Sequence, residues 1–448
     1  MLDPASAADT LASLLDLARC AGADAADAVY VGDRSTSVGT RLGALEDVSR
    51  AEGQEVGLRL FVGQRNAAVA SSDLSSDSLT ALVERAVAMA REAPEDRFAG
   101  LAPADLLMTG ERPDLDLDDG GDPNPAALRA RAEAAEDAAR GVAGITNSNG
   151  ASASATASTF AVATSHGFVG TSRATGYSCS ASVVAGEGSA MQRDYGWHSA
   201  RHLSDLEAPE DIGRRAGERA AARLDPVRVK AGPMAVLFDP RVANTLLGHF
   251  VAAISGGAIT RQSSFLLDAL GSQVFAKGLT IRDDPSRKRG LRSRAFDGEG
   301  LPVAASDLVA DGVLTTWLAD SAAARQLGIA PTGHAVRGVS GAPGAGPSNL
   351  SIQPGSRSRE AMIAGIGNGI LVTELIGQGV NGVTGDYSRG AAGFLIVNGE
   401  IGPAVSEITI ASNLKTMFAE LEPASDLHLR RGVDSPTLLV PQMMVASA

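Results

Sequence analysis

Imidazole and thiol are scarce in this chain: its 448 residues include six His and two Cys. His198 and His202 stand four apart, a spacing that puts two metal ligands on one face of a helix. Ser199 follows His198, so the Glu that an H-E-x-x-H zinc site needs is missing. The preceding Tyr195-Gly196-Trp197 reads as strand or loop, and a packed or surface pair is the better expectation. Cys179 lies in a Ser-rich, strand-like stretch. His166 is its nearest imidazole in sequence and would have to act as the base that makes a thiolate, so a buried small residue is the simpler reading. Gly377-Gln378-Gly379-Val380-Asn381-Gly382 fits GxGxxG after a strand-like run at 370–375. Dinucleotide binding needs a helix directly after those glycines, because the helix N-terminus holds the pyrophosphate. A strand-like run and an Asn398-Gly399 turn follow instead, which sets nucleotide binding aside. In the acidic segment 113–125, Asp114, Asp116 and Asp118 lack the Gly-then-Glu continuation of a calcium loop, leaving a solvated linker.

Composition narrows the function classes further. The chain is long enough for two or three domains at roughly 150 residues each. Its 39 Lys and Arg against 52 Asp and Glu leave a formal charge of −13, which argues against nucleic-acid binding. Two distant cysteines make no disulfide framework and fit a reducing compartment. The N-terminal MLDPASAADT has neither the basic start nor the apolar core of a signal peptide. No run approaches the ~18 apolar residues of a membrane span. A cytoplasmic protein with no membrane partner is expected.

Hydrophobic periodicity supplies the scaffold. Ala8, Leu11, Leu14, Leu15 and Ala18 predict a first helix that stops near Gly22. Strands are expected at 28–31, 35–41, 56–62 and 67–70, with Gly63-Gln64 as a turn. Leu79, Leu82, Val83, Ala86, Val87 and Ala90 predict a second helix that Pro94 ends. Asn124 and Pro125 cap a third, which ends at Gly141. The Ser-, Ala- and Val-rich run 145–200 reads as an antiparallel meander, and a helix over 209–224 follows. Beyond it come a strand at 234–238, a helix opened by Asp239-Pro240, a second helical piece at 264–270, and strands with turns after Gly290. The fold class is α+β, with a helix-plus-sheet domain over 1–225 and a β-rich domain with a few helices over 226–448.

The Asp239 helix carries Asn244-Thr245-Leu246-Leu247-Gly248-His249, then Ala253-Ile254-Ser255-Gly256-Gly257 and Ser263-Ser264-Phe265. Together with Met191-Gln192-Arg193-Asp194-Tyr195, Pro347-Ser348-Asn349-Leu350 and Gly393-Phe394 before Asn398-Gly399-Glu400, this order resembles the TldD/PmbA family of peptidases, PmbA (TldE) branch. The resemblance spans nearly the whole chain. In the TldD branch this helix carries H-E-x-x-x-H, with a Cys ligand nearer the C-terminus. Two His and the Cys hold zinc with one position open for water, and the Glu takes the water's proton.

Here Asn244 stands in place of the first His and Thr245 in place of the Glu, while Gly248 and His249 remain. Residues 427–440 contain no Cys. Asn is no substitute for an imidazole on zinc, and Thr cannot serve as a carboxylate base. No catalytic residue and no metal ligand are therefore assigned to this chain, and zinc is expected in a TldD-type partner subunit. The resemblance implies a non-catalytic subunit of a heteromeric zinc peptidase acting on unfolded peptides. It would complete a chamber and hold extended peptide, with Ser348, Asn349, Gly377, Gly379 and Gly382 on candidate chamber or peptide-binding loops. The alternative is a homodimeric peptide-binding or scaffolding protein without peptidase activity. An independent hydrolase using Cys179 or a Ser is the weakest reading.

Overall fold

A computed structural model describes residues 1–447. The first 222 residues build one antiparallel sheet with helices on a single face. Its strands are β1 (Ala25–Arg41), β2 (Ala44–Val62), β3 (Arg65–Ser71), β4 (Ile145–Thr164), β5 (Val169–Ala185) and β6 (Gln192–Ala200), in the order β3-β2-β1-β4-β5-β6. The two short strands expected at 28–31 and 35–41 are one continuous strand. Gly32 and Asp33, between them, pair with Gln54 and Gly53 on one side and with Thr159 and Ser158 on the other.

Helices α1 (Pro4–Cys20) and α2 (Ser76–Glu92) contain the apolar runs that predict them, and α3 (Pro125–Arg140) and α4 (Pro209–Ala222) start where the sequence places them. Asp3 caps α1 by accepting from the Ala5 and Ser6 amides at 2.9 and 3.0 Å, and Asn124 caps α3 through Ala127 N at 2.8 Å. The even positions Ala26, Ala28 and Tyr30 of β1 lie under α1 and α2. Val38, of the same parity, lies under α3 and α4. All four helices therefore cover one face, a pair at each end. In β4, Ala151, Ala153 and Ala155 point into that core, while Ser152 and Ser154 bond across the opposite face to Ser180 and Ser178. So small a sheet surface lets α3 and α4 sink in and meet backbone to backbone. A Cβ on Gly213 would stand 1.9 Å from Ala135 O.

The chain then forms a closed five-stranded barrel. Its strands are β7 (Gly232–Phe238), β8 (Asn368–Ile376), β9 (Asp386–Val397), β10 (Glu400–Asn413) and β11 (Leu438–Ser447). They run in the order β10-β9-β8-β7-β11, and β11 returns to β10 through pairs such as Ile408 with Ser447 and Ala411 with Met444. Only β7 and β8 pair in parallel; Asn398 and Gly399, both with positive φ, make the tight β9–β10 turn. Helix α5 (Pro240–Ala253) leaves β7 and packs Val242, Leu246, Leu247 and Phe250 onto the barrel core. A smaller sheet uses Ile281–Asp283, Ser306–Ala310 and Leu350–Ile352.

The helical piece expected at 264–270 is a series of turns, and the short helix lies earlier, at Gly256–Thr260 behind a Ser255 cap. Ser264 Oγ donates to Ala253 O and the Phe265 amide to Gly382 O. These bonds tie the segment to its neighbours, and within it the Ala269 amide reaches back three residues to Leu266 O, a turn and not a helical bond.

The face of the first sheet away from its helices meets the second half of the chain. Arg59 pairs with Asp27, and Arg337 reaches Asp27 at 3.0 Å. Glu299 lies 4.0 Å from Arg59.

Candidate functional site

Helix α5 is held at its first turn by charges from both halves of the chain. Asp239 caps it, accepting from the Arg241 amide at 3.1 Å and from Arg359 at 3.0 Å. Arg241 forks onto the Asp194 carboxylate of β6 at 2.6 and 3.0 Å, and Arg223 reaches the same carboxylate at 3.3 Å. Burial, the largest single influence, would raise the Asp194 carboxyl, but Arg241, the Tyr195 amide and Arg223 together outweigh it and hold the group below its ordinary value. Arg223 also pairs with Glu374 of β8. This clamp fixes the helix between β6 and the barrel.

The four motif positions then follow along α5. Asn244 is half-buried and its side chain makes no hydrogen bond among the described residues. Thr245 turns its hydroxyl back to Val242 O at 2.7 Å. It lines a cavity of about 240 Å³ with Arg241, Glu374 and Arg389. Gly248 is exposed, and a Cβ added there would meet nothing within 4 Å. His249, one turn beyond Thr245, lines a second cavity of about 280 Å³ with Ser263, Phe265, Gln378, Val380 and Gly382. Its ring stands edge-on to Tyr387 with centroids 6.0 Å apart, and its Nε2 has no hydrogen-bond partner. Burial, reinforced by the Arg389 charge, pushes the imidazole toward its neutral form.

The glycine loop after β8 therefore joins His249. Gly377 takes a positive φ of 77°, and Gly379 lies against β9 so closely that a Cβ would stand 1.9 Å from Ser388 O. No helix follows; the loop bonds back through Val380 and Tyr387 and enters β9. Ser348 and Asn349 do not line either cavity. Both are buried, Ser348 donating to Asp283 at 2.9 Å and Asn349 to Asp284 O and Ser293 Oγ at 2.7 and 2.8 Å.

The remaining imidazoles and the thiol have separate surroundings. His198 accepts from the Glu207 amide at 3.1 Å, while His202 lies beyond the end of β6 against Asp116. Cys179 is fully buried among alanines, and burial pushes its thiol up to about 11. His166 bonds to Ala102 O at 2.9 Å and is not its base.

Sequence reasoning missed Tyr387 and Arg389. The signal was strand alternation: in β9, Tyr387, Arg389 and Ala391 share the buried face, which places an arginine at a core position.

The donors on α5 do not fit the zinc site of the resembling peptidases. One imidazole, an amide and a hydroxyl replace two imidazoles and a carboxylate. Among the described residues, no three His, Cys, Asp or Glu side chains are grouped to hold one ion.

Three family models match in order: PmbA/TldA metallopeptidase domain 1 over residues 26–90, the central domain over 118–224 and the C-terminal domain over 231–447. With these matches and the relatives below, the chain belongs to the PmbA/TldA metallopeptidase family. Metalloprotease PmbA of Escherichia coli O157:H7 is 39% identical over 85% of this chain and 82% of its own. The Metalloprotease PmbA homolog of Haemophilus influenzae is 37% identical over 84% and 82%. Among solved structures, a Bacteroides thetaiotaomicron protein superposes with a TM-score of 0.91 at 28% identity, covering 98% of both chains. TldE from Thermococcus kodakarensis has the same fold, with a TM-score of 0.87 at 20% identity over 98% of this chain and 100% of that one. No helix among the described residues is long and apolar enough to cross a membrane.

Proposed function

We propose that this chain is the non-catalytic subunit of a two-component cytoplasmic zinc peptidase. A TldD-type partner would supply the metal, and this chain would complete the chamber and hold extended peptide. One observation carries the reading. Helix α5 keeps a firmly clamped position beside two cavities, yet offers Asn244 and Thr245 where a catalytic subunit needs a ligand and a base. The residues on this helix can pack, orient and hydrogen-bond a bound peptide. They cannot activate water, because neither a metal site nor an accessible carboxylate base stands beside His249.

The test is a peptidase assay run with this chain alone, a TldD-type chain alone, and the two mixed, with bound metal measured in each. Cleavage and stoichiometric zinc are expected only where the TldD-type chain is present, with activity raised by mixing. Cleavage by this chain alone, with its own bound zinc, would refute the proposal. A stable homodimer that binds peptide and ignores the TldD-type chain would establish the scaffolding alternative.

A further inference from the structure

Among the described residues ten buried polar side-chain atoms lack hydrogen-bond partners, and three of them belong to neighbouring side chains: His249 Nε2, Tyr387 Oη and Arg389 Nε. Tyr387 and Arg389 lie two apart on one face of β9, and the His249 ring meets Tyr387 edge-on. Leaving such groups dry and unpaired is costly, and native interiors rarely do so without a ligand or water to complete them. Each of the three can donate a hydrogen bond, His249 as its Nε2–H tautomer.

The charge around them has a definite sign. The cavity beside Thr245 is lined by Arg193, Arg223, Arg241 and Arg389 against Asp194 and Glu374, an excess of two positive charges in a chain of net charge −13. The two carboxylates are already engaged, Asp194 by Arg241 and Arg223, and Glu374 by Arg223 with Arg193 at 4.0 Å. Arg389 is 8% exposed and makes no ion pair among the described residues. A buried guanidinium without a carboxylate, opening on a cavity, is a receptor for an anionic oxygen.

We infer that the cavity beside Thr245, between α5 and β9, is a carboxylate-binding site in which Arg389 supplies the charge. The carboxylate comes from the bound peptide, either its C-terminus or an acidic side chain. This rests on the peptide-holding role proposed above and adds a chemical preference to it. A planar carboxylate suits the guanidinium fork.

The test uses the full chain and two probes. Thermal unfolding is followed with N-acetylglycine and with its uncharged amide. Fluorescence anisotropy then follows a labelled unstructured decapeptide in three forms: free C-terminus, amidated, and amidated with one internal Glu. Carboxylate-bearing peptides are expected to bind roughly 10- to 100-fold tighter than the neutral form. N-acetylglycine should raise the unfolding temperature where its amide does not. The free-terminus and internal-Glu forms show which carboxylate is taken. Arg389→Gln should abolish both preferences. Thr245→Glu, which offers the cavity its own carboxylate, should abolish them while keeping Arg389 paired, and it decides the matter if Arg389→Gln does not fold. Equal binding of all peptides by the wild type overturns the carboxylate site and leaves peptide holding intact. A response to N-acetylglycine with no peptide binding keeps the site and removes the peptide role. No response to either probe overturns both.

Discussion

Replacing Asp194 by Asn removes the charge that ties the first sheet to α5. In the wild type its carboxylate accepts from Arg241 at 2.6 and 3.0 Å and from Arg223 at 3.3 Å, at 3% exposure. The amide is isosteric but leaves Arg241 buried without its anion; Arg223 keeps Glu374. Breaking a buried pair in this way costs about 3 to 5 kcal/mol. The assay is urea unfolding of Asp194→Asn and wild type at pH 7, read as a shift in midpoint at unchanged slope. The double variant Asp194→Leu/Arg241→Met should recover much of the loss, because the uncompensated charge goes too. Lowered pKa sets the pH dependence. Asp194 contributes stability that is full above the unfolded value of about 3.9 and is lost as pH falls through its lower folded value. Asp194→Asn should therefore lack that part of the acid decline. A loss below about 1 kcal/mol, or a double variant no better than the single, would refute the clamp.

Two further substitutions probe the scaffold. Gly213→Ala puts a methyl 1.9 Å from Ala135 O and should cost about 1–3 kcal/mol by pushing α3 and α4 apart, whereas Gly248→Ala, in open space on a helix, should gain about 0.5–1 kcal/mol; urea midpoints compare them directly. Glu299 is buried beside Ser321 and Arg59, and burial raises its carboxyl to about 7. The folded state then holds a proton that the unfolded chain releases near pH 4.3, so stability should fall by on the order of 3 kcal/mol as pH rises from there to 7. Glu299→Gln should flatten that decline in unfolding curves taken across the range.

The scaffold was legible wherever one local rule decided it. Asn124-Pro125 and Asp239-Pro240 announce helix starts because the cap and the fixed proline φ act within a turn. The Ser-Ala alternation of β4 gives a strand face directly. Barrel closure was not legible, because pairing β7 with β11 depends on residues some two hundred positions apart. The 264–270 segment misled for a related reason: its apolar spacing is helical, but its amide and hydroxyl partners, Gly382 O and Ala253 O, come from other elements. At the site, Asn244, Thr245 and His249 were visible through the resemblance alone. Arg389 was hidden inside an ordinary strand pattern, since a charge on a buried face becomes meaningful only once the neighbours that fail to neutralise it are known.

The closed barrel also orders events in time. All six strands of the first sheet are synthesised by residue 200, so that sheet and its Asp194 anchor can assemble before the barrel is complete. Strand β7, at 232–238, must wait for Leu438–Ser447 before its second edge is covered, and β10 waits for the same strand. During that interval two apolar strand edges stand open and ready to pair with another chain. The nascent barrel is thus the stage of synthesis at which this protein most needs shielding from its own copies.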